Sequence, residues 1–185
     1  MARLPNVTRD QVPEEFRAAF DELTAESGGT IATGPGSITL NSPELARRRN
    51  HLTAYLRYET TFPRRILELA IITTARQMDC PYVWNAHAPA ARQNGVSDAV
   101  IDALRERRPL PNLAPDEAAV INYCTEFYRN HRVSQPTFQA ALDQFGPRHL
   151  AELTVLMGNY AGTAFVLNAF EVQVNPSSTE PRLPV

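Results

Sequence analysis

A chain of 185 residues with 43% hydrophobic residues is long enough to bury the core of one domain. Its 20 acidic and 18 basic residues give a formal net charge of -2, so the composition gives no indication of nucleic-acid binding. No apolar run approaches the roughly 20 residues that a membrane-spanning helix needs, and the first residues lack the apolar stretch of a signal peptide. These features predict a soluble, cytoplasmic protein whose single domain covers residues 1–185.

The basic residues also restrict the chemistry, because all 18 are arginines and the sequence contains no lysine. A Schiff base, a covalently bound pyridoxal phosphate and a phosphate-binding loop each need a lysine amine, so these three are excluded. The two cysteines, Cys80 and Cys124, have neither metal-ligand spacing nor the pattern of a disulfide framework. The sequence carries no dinucleotide-binding fingerprint either. We therefore expect an enzyme that needs no metal and no other cofactor.

The N-terminal third of the chain predicts two helices separated by a loop. Residues 1–33 are expected to contain one amphipathic helix and the start of a glycine-rich loop, which reaches Ser37 by its composition. Ser42 as N-cap and Pro43 at the first helical position then open the second helix. The Arg47–Arg49 run within that helix is typical of a solvated helix face.

The middle of the chain predicts a buried helix followed by a second, shorter one. The first begins after Pro63 and is apolar nearly all round, which is typical of a helix buried on most sides. Glu68 stands in the middle of it. The next helix is capped by Asp79 or Cys80 and ends at Gly95.

The C-terminal half predicts four more helices: Ser97 caps the first, Pro115 opens the second, Ser134 caps the third and Pro147 begins the fourth. The last of them is expected to reach about Val172. Residues 175–185 are polar and rich in proline, which predicts an extended tail or one packed on a partner. No segment shows the alternating pattern of a strand, so we expect an all-α fold.

Glu68 and His87 are the candidate catalytic pair. A carboxylate inside an apolar helix is costly to bury without a partner. His87 lies on the next helix, and antiparallel packing of the two helices could bring the side chains together. A glutamate that orients a histidine forms a general acid/base unit near neutral pH, but an ion pair that only joins two helices would leave the same pattern.

Cys80 is a third candidate because it stands at a helix N-terminus, where backbone N–H groups lower the pKa of a thiol. Without a second cysteine nearby it cannot run dithiol chemistry. The pattern favours a small buried apolar residue instead.

Several sequence blocks are more specific than these local patterns. They are Gly34-Pro35, Tyr55-Leu-Arg57, Glu68-Leu-Ala-Ile, Tyr82-Val-Trp84-Asn-Ala-His87 and Leu167-Asn-Ala-Phe. In this order and spacing they resemble the carboxymuconolactone decarboxylase family, which shares its helical fold with alkylhydroperoxidase D. The resemblance implies an alkylhydroperoxidase D-like helical bundle and a homo-oligomer, either a trimer or a hexamer built from trimers.

The alkylhydroperoxidase D motif is a glutamate followed by Cys-x-x-Cys-x-x-x-His. Glu68, Cys80 and His87 match its glutamate, first cysteine and histidine, whereas Val83 takes the place of the second cysteine. Peroxidase-like members need that second cysteine as their attacking thiol, so the resemblance argues against disulfide-based peroxide reduction. Many decarboxylase-like relatives carry a glutamate at the position of Val83, so the match locates the site better than it identifies the reaction.

The leading functional hypothesis is a cofactor-independent decarboxylase or related lyase acting on a small carboxylated lactone or enol-type acid. His87 is expected to be the proton donor and Glu68 to set its tautomer. Arg65 is the candidate for binding a substrate carboxylate, with Arg64 and Arg76 as alternatives. The other candidates for contacting the substrate are Tyr82, Val83, Trp84 and Tyr160.

Three alternatives share the same scaffold. One is a cofactor-free isomerase, cyclase or hydrolase of a specialised metabolite. Another is a thiol-dependent antioxidant protein that acts through Cys80 alone. The last is a ligand-binding or interaction protein without catalytic activity.

Overall fold

The computed structural model describes residues 2–185, and these residues form eight α-helices and no β-strand. The helices are α1 (Arg17–Thr24), α2 (Pro35–Thr39), α3 (Pro43–Ala54), α4 (Arg64–Gln77), α5 (Pro81–Gln93), α6 (Asp98–Arg105), α7 (Pro115–Asn130) and α8 (Gln135–Ala169). A π-helical turn, Tyr55–Glu59, continues α3 without a break. The predicted all-α class is confirmed.

Helix α4 lies at the centre of the main core. Every residue from Ile66 to Arg76 is buried, in agreement with the apolar pattern around this helix. It packs against α5, α7 and α8. Glu68 belongs to this buried stretch and is therefore surrounded by other helices.

A second, smaller core lies under the N-terminal segment. It consists of Val7, Val12, Phe20 and Leu40. The loop expected to reach Ser37 ends earlier, because Pro35 begins helix α2 inside it. Proline fits the first position of a helix, where its missing N–H would have no partner, and Gly34 supplies the positive φ of 79° just before it.

Helix α8 contains a break at Gly146, whose φ of 71° and ψ of 167° are not helical. The two helices expected around Pro147 are therefore two segments joined at this glycine, and the second ends at Ala169 rather than near Val172. Helix α8 is also the one described helix long and apolar enough to cross a membrane by length and composition. Its buried face packs into the core, as in the core helices of soluble proteins.

The C-terminal tail packs on its own chain. Leu183 is buried, Glu180 forms an ion pair with Arg92 of α5, and Arg76 of α4 donates a 2.8 Å hydrogen bond to the carbonyl of Pro184. The tail thus contacts α4 and α5 of its own chain.

Candidate active site

The structure brings Glu68 of α4 and His87 of α5 into direct contact. The His87 Nδ1 lies 2.7 Å from Glu68 Oε2, and both residues are buried. The two helices are neighbours joined by a short turn, so the 19 residues between the two side chains do not separate them in space.

Two arginines surround the other oxygen of Glu68. Arg64 Nη2 lies 3.1 Å and Arg57 Nη2 lies 3.8 Å from Oε1. Burial opposes ionisation, but the hydrogen bond and charge of His87, with the charges of Arg64 and Arg57, hold the pKa of Glu68 below its ordinary value. Glu68 is therefore a carboxylate that accepts a hydrogen bond from the Nδ1–H of His87.

His87 opens onto a cavity of about 230 Å³ enclosed by α2, α3, the π-helical turn, α5 and α8. Because Glu68 holds Nδ1, the Nε2 on the opposite side of the ring is the nitrogen available to a ligand. Tyr160 packs edge-on against the imidazole, with the ring centroids 5.1 Å apart. The remaining lining residues are Pro35, Gly36, Thr39, Arg49, Asn50, Thr53, Arg57, Tyr82, Val83, Ala86, Thr163 and Leu167.

Arg49 is the first of two cavity arginines that the sequence analysis did not identify. Arg47 and Arg48 are exposed and pair with Glu44, as expected of a solvated face, but Arg49 turns inward and donates a 2.8 Å hydrogen bond to Thr163 Oγ1. Burial lowers its pKa, and no carboxylate among residues 2–185 pairs with it. The guanidinium therefore presents an uncompensated positive charge to the cavity.

Arg57 is the second cavity arginine, and it lies in the π-helical turn. Its Nε is buried without a hydrogen-bond partner among the described residues. Its guanidinium also stacks over the ring of Tyr58, 5.0 Å from the centroid. A four-residue spacing joins Arg49, Thr53 and Arg57, and this helical stripe is the signal that could have revealed both arginines.

Comparison with known proteins finds one family match, and it covers the region of the site. Residues 43–126 match the model of the Carboxymuconolactone decarboxylase family, and this segment includes Arg49, Arg57, Glu68 and His87. This match covers a little under half of the chain. A comparison with curated proteins finds no match.

Solved structures show the same fold at low identity. An uncharacterised peroxidase-related protein from Ralstonia eutropha, described as an alkylhydroperoxidase AhpD core, is 14% identical with a TM-score of 0.72, covering 95% of this chain and 93% of its own. A peroxidase-related protein from a Silicibacter species is 15% identical with a TM-score of 0.72, covering 96% and 93%. A cysteine-to-alanine variant of the debrominase Bmp8, in complex with 2,3,4-tribromopyrrole, is 12% identical with a TM-score of 0.70, covering 93% and 91%. The predicted alkylhydroperoxidase D-like fold is confirmed.

Three of the expected substrate-contacting residues line the cavity: Tyr82, Val83 and Tyr160. Trp84 does not. It is fully buried and lies on the stripe of α5 that includes Ala88 and Ala91, which faces the core. A helix turns by about 100° per residue, so neighbours such as Val83 and Trp84 point to different sides.

Arg65 also lies away from the cavity. It forms ion pairs with Asp116 and Glu117 in the first turn of α7. Its location therefore does not support a role in holding the substrate carboxylate, whereas Arg49 and Arg57 lie where that role requires.

Cys80 caps helix α5 and is fully buried, outside the cavity lining. Burial raises the pKa of its thiol, and this effect exceeds the opposing hydrogen bonds from the backbone of Val83 and Tyr82. The expectation of a lowered pKa at this helix terminus is therefore wrong.

No three His, Cys, Asp or Glu side chains among residues 2–185 come together as possible metal ligands.

Proposed function

We propose that this protein is a cofactor-independent lyase that removes carbon dioxide from a small carboxylated lactone or a related enol-type acid. The observation that carries this proposal is a buried His87–Glu68 pair whose imidazole lines a cavity together with two arginines. A proton donor beside guanidinium groups suits an anionic substrate that must be protonated on carbon. The family assignment of residues 43–126 agrees with this chemistry.

The reaction begins when a substrate carboxylate binds Arg49. The hydrogen bond from Arg49 to Thr163 fixes the guanidinium, so little side-chain freedom is lost on binding. The cavity volume of about 230 Å³ limits the substrate to a small acid.

Decarboxylation breaks the bond between the carboxylate carbon and the adjacent carbon of the substrate. The electron pair passes through the conjugated double bond to the carbonyl oxygen, and carbon dioxide leaves. The positive charge of Arg57 stabilises the resulting enolate. His87 then transfers the proton on Nε2 to carbon, and a proton from solvent restores the imidazolium.

Glu68 acts as a positioning residue in this scheme. It accepts the Nδ1–H of His87 before and after the transfer, so the ring keeps one orientation and one tautomer. Its ionised state, which the pKa shift favours, keeps it an acceptor for this hydrogen bond.

The proposal is tested with a panel of unsaturated lactone acids and enol-type acids in D₂O. Dialysed protein with a chelator should release carbon dioxide from at least one of them and place one deuteron on a carbon of the conjugated system that accepted the electron pair. Turnover without carbon dioxide release would identify an isomerase or hydrolase instead. Peroxide consumption that depends on Cys80 would identify the thiol-dependent alternative.

A further inference from the structure

A second concave site lies at the other end of helix α4 from Glu68. It has a volume of about 290 Å³ and shares no lining residue with the cavity at His87. We call it the arginine pocket and define it by Arg76, Arg107, Arg108 and Arg129 together with Leu110 and Ile121. Arg76 lies eight positions after Glu68, which is about 12 Å along a helix axis.

The arginine pocket holds more positive than negative charge. Asp79 is the carboxylate that pairs with its arginines, and it is shared between Arg76 and Arg107. Arg108 and Arg129 form no ion pair and no side-chain hydrogen bond within residues 2–185. Four guanidinium groups and one carboxylate leave an excess of three positive charges.

Arg76 is the buried arginine of this pocket. The residue is 3% exposed, and its Nη atoms bind the carbonyls of Arg105 and Pro184 and the carboxylate of Asp79. Its Nε has no hydrogen-bond partner among the described residues. The buried guanidinium therefore adds a positive charge beneath the pocket, where solvent screens it less than at the surface.

The floor of the arginine pocket is apolar. Ile121 and Leu104 belong to the core, and Leu110 packs against it. A ligand that fits this surface carries both an anionic group and an apolar body. A phosphate offers three acceptor oxygens and up to two negative charges, which matches several guanidinium forks better than a single carboxylate does.

We infer that the arginine pocket binds a small organic phosphate. The phosphate lies between Arg108 and Arg129 above Arg76, and the organic part covers Leu110. This site is separate from the proposed decarboxylase cavity and does not depend on its chemistry.

The test is a calorimetric titration of the full chain with phenyl phosphate. Saturable binding is expected, and it should be tighter than that of inorganic phosphate because the ring adds apolar contact. Arg108→Ala and Arg129→Ala should each weaken binding about 10-fold or more, since each removes charge-assisted hydrogen bonds. Both residues are exposed, so the variants should stay folded, which thermal unfolding checks.

Two control variants separate this site from others. Arg132→Ala removes an exposed arginine outside the pocket and should change binding less than about 2-fold, as expected for a screened surface charge. Arg49→Ala removes an arginine of the His87 cavity and should leave the binding unchanged. The inference is overturned if no saturable binding occurs at millimolar phenyl phosphate, or if Arg49→Ala weakens binding more than Arg108→Ala. Benzoate binding as tightly as phenyl phosphate would overturn the choice of phosphate.

Discussion

The hydrogen bond between His87 and Glu68 makes the two residues one unit, and the first prediction concerns this pair. His87→Gln removes the proton donor, and Glu68→Gln removes the carboxylate that orients the imidazole. Each variant should lower kcat by roughly 100-fold or more, because general acid catalysis contributes about that factor. The effects should be similar in size, and the double variant should be little worse than either single one.

Steady-state kinetics on an accepted substrate measures these losses, and circular dichroism confirms that each variant is folded. A folded His87→Gln protein with turnover close to that of the wild type would contradict the catalytic role. The pair would then be a structural contact between α4 and α5.

Arg49 gives a second prediction at the residue scale. Arg49→Met should raise KM for a carboxylated substrate about 10- to 100-fold, because a charged hydrogen bond to the ligand is lost. Arg48→Met is the matched control, since Arg48 is the exposed neighbour that pairs with Glu44. The control should keep KM within about 2-fold of the wild type. Equal effects of the two substitutions would show that net charge, rather than contact with the substrate, determines KM.

The sequence predicted some of the site residues and missed others for a physical reason. Glu68 could be identified because the cost of burying a carboxylate shows in its immediate apolar neighbours. Arg49 could not, because its environment depends on the distant Thr163 of α8, with which it forms a hydrogen bond across 114 positions. Trp84 was placed on the cavity wall from its proximity in sequence, whereas the rotation of α5 directs it to the core.

At the scale of helices, Glu68 couples the packing of α4 on α5 to pH. Its pKa in the folded protein lies below the ordinary value of 4.5. A carboxyl with a depressed folded pKa contributes stability that is fully present above the unfolded pKa and is lost as pH falls through the folded pKa. The wild-type protein should therefore lose free energy of unfolding below pH 4.5 relative to Glu68→Gln, which has no carboxyl to titrate at this position.

Urea unfolding at a series of pH values measures this difference, with the fluorescence of Trp84, the one tryptophan of the chain, as the signal. The stability advantage of the wild type over Glu68→Gln should narrow as the solution is acidified. Parallel stability curves would mean that the carboxyl has the same pKa in the folded and unfolded states.

Helix boundaries were predictable where a local signal marks them. Ser97 caps α6 with a hydrogen bond from the Val100 N–H, and Gly146 separates two helical segments as expected. The π-helical turn at Tyr55–Glu59 has no such signal in the sequence. The packing of the tail on its own chain could not be predicted either, because Leu183 is buried by residues far away in the sequence.

At the scale of the whole molecule, we propose that the chain forms a homo-oligomer, a trimer or a hexamer built from trimers, as the resemblance implies. Large side chains remain exposed on two neighbouring elements: Phe165 and Val155 on α8, and Tyr58 on the π-helical turn. Phe165 and Tyr58 are each 67% exposed, which is costly for an isolated monomer. Light scattering should report more than one chain per particle, and Phe165→Glu should shift the population to smaller species. A monomer at micromolar concentration would contradict this proposal.

The two buried thiols have a practical consequence. Cys80 and Cys124 are fully buried, and burial raises the pKa of both, so alkylating reagents should reach them only when the core opens. Their labelling rate under native conditions therefore measures how often the central helices open. A cysteine introduced on the surface would react far faster than either, so spectroscopic labels can be attached at one chosen position without first replacing the native thiols.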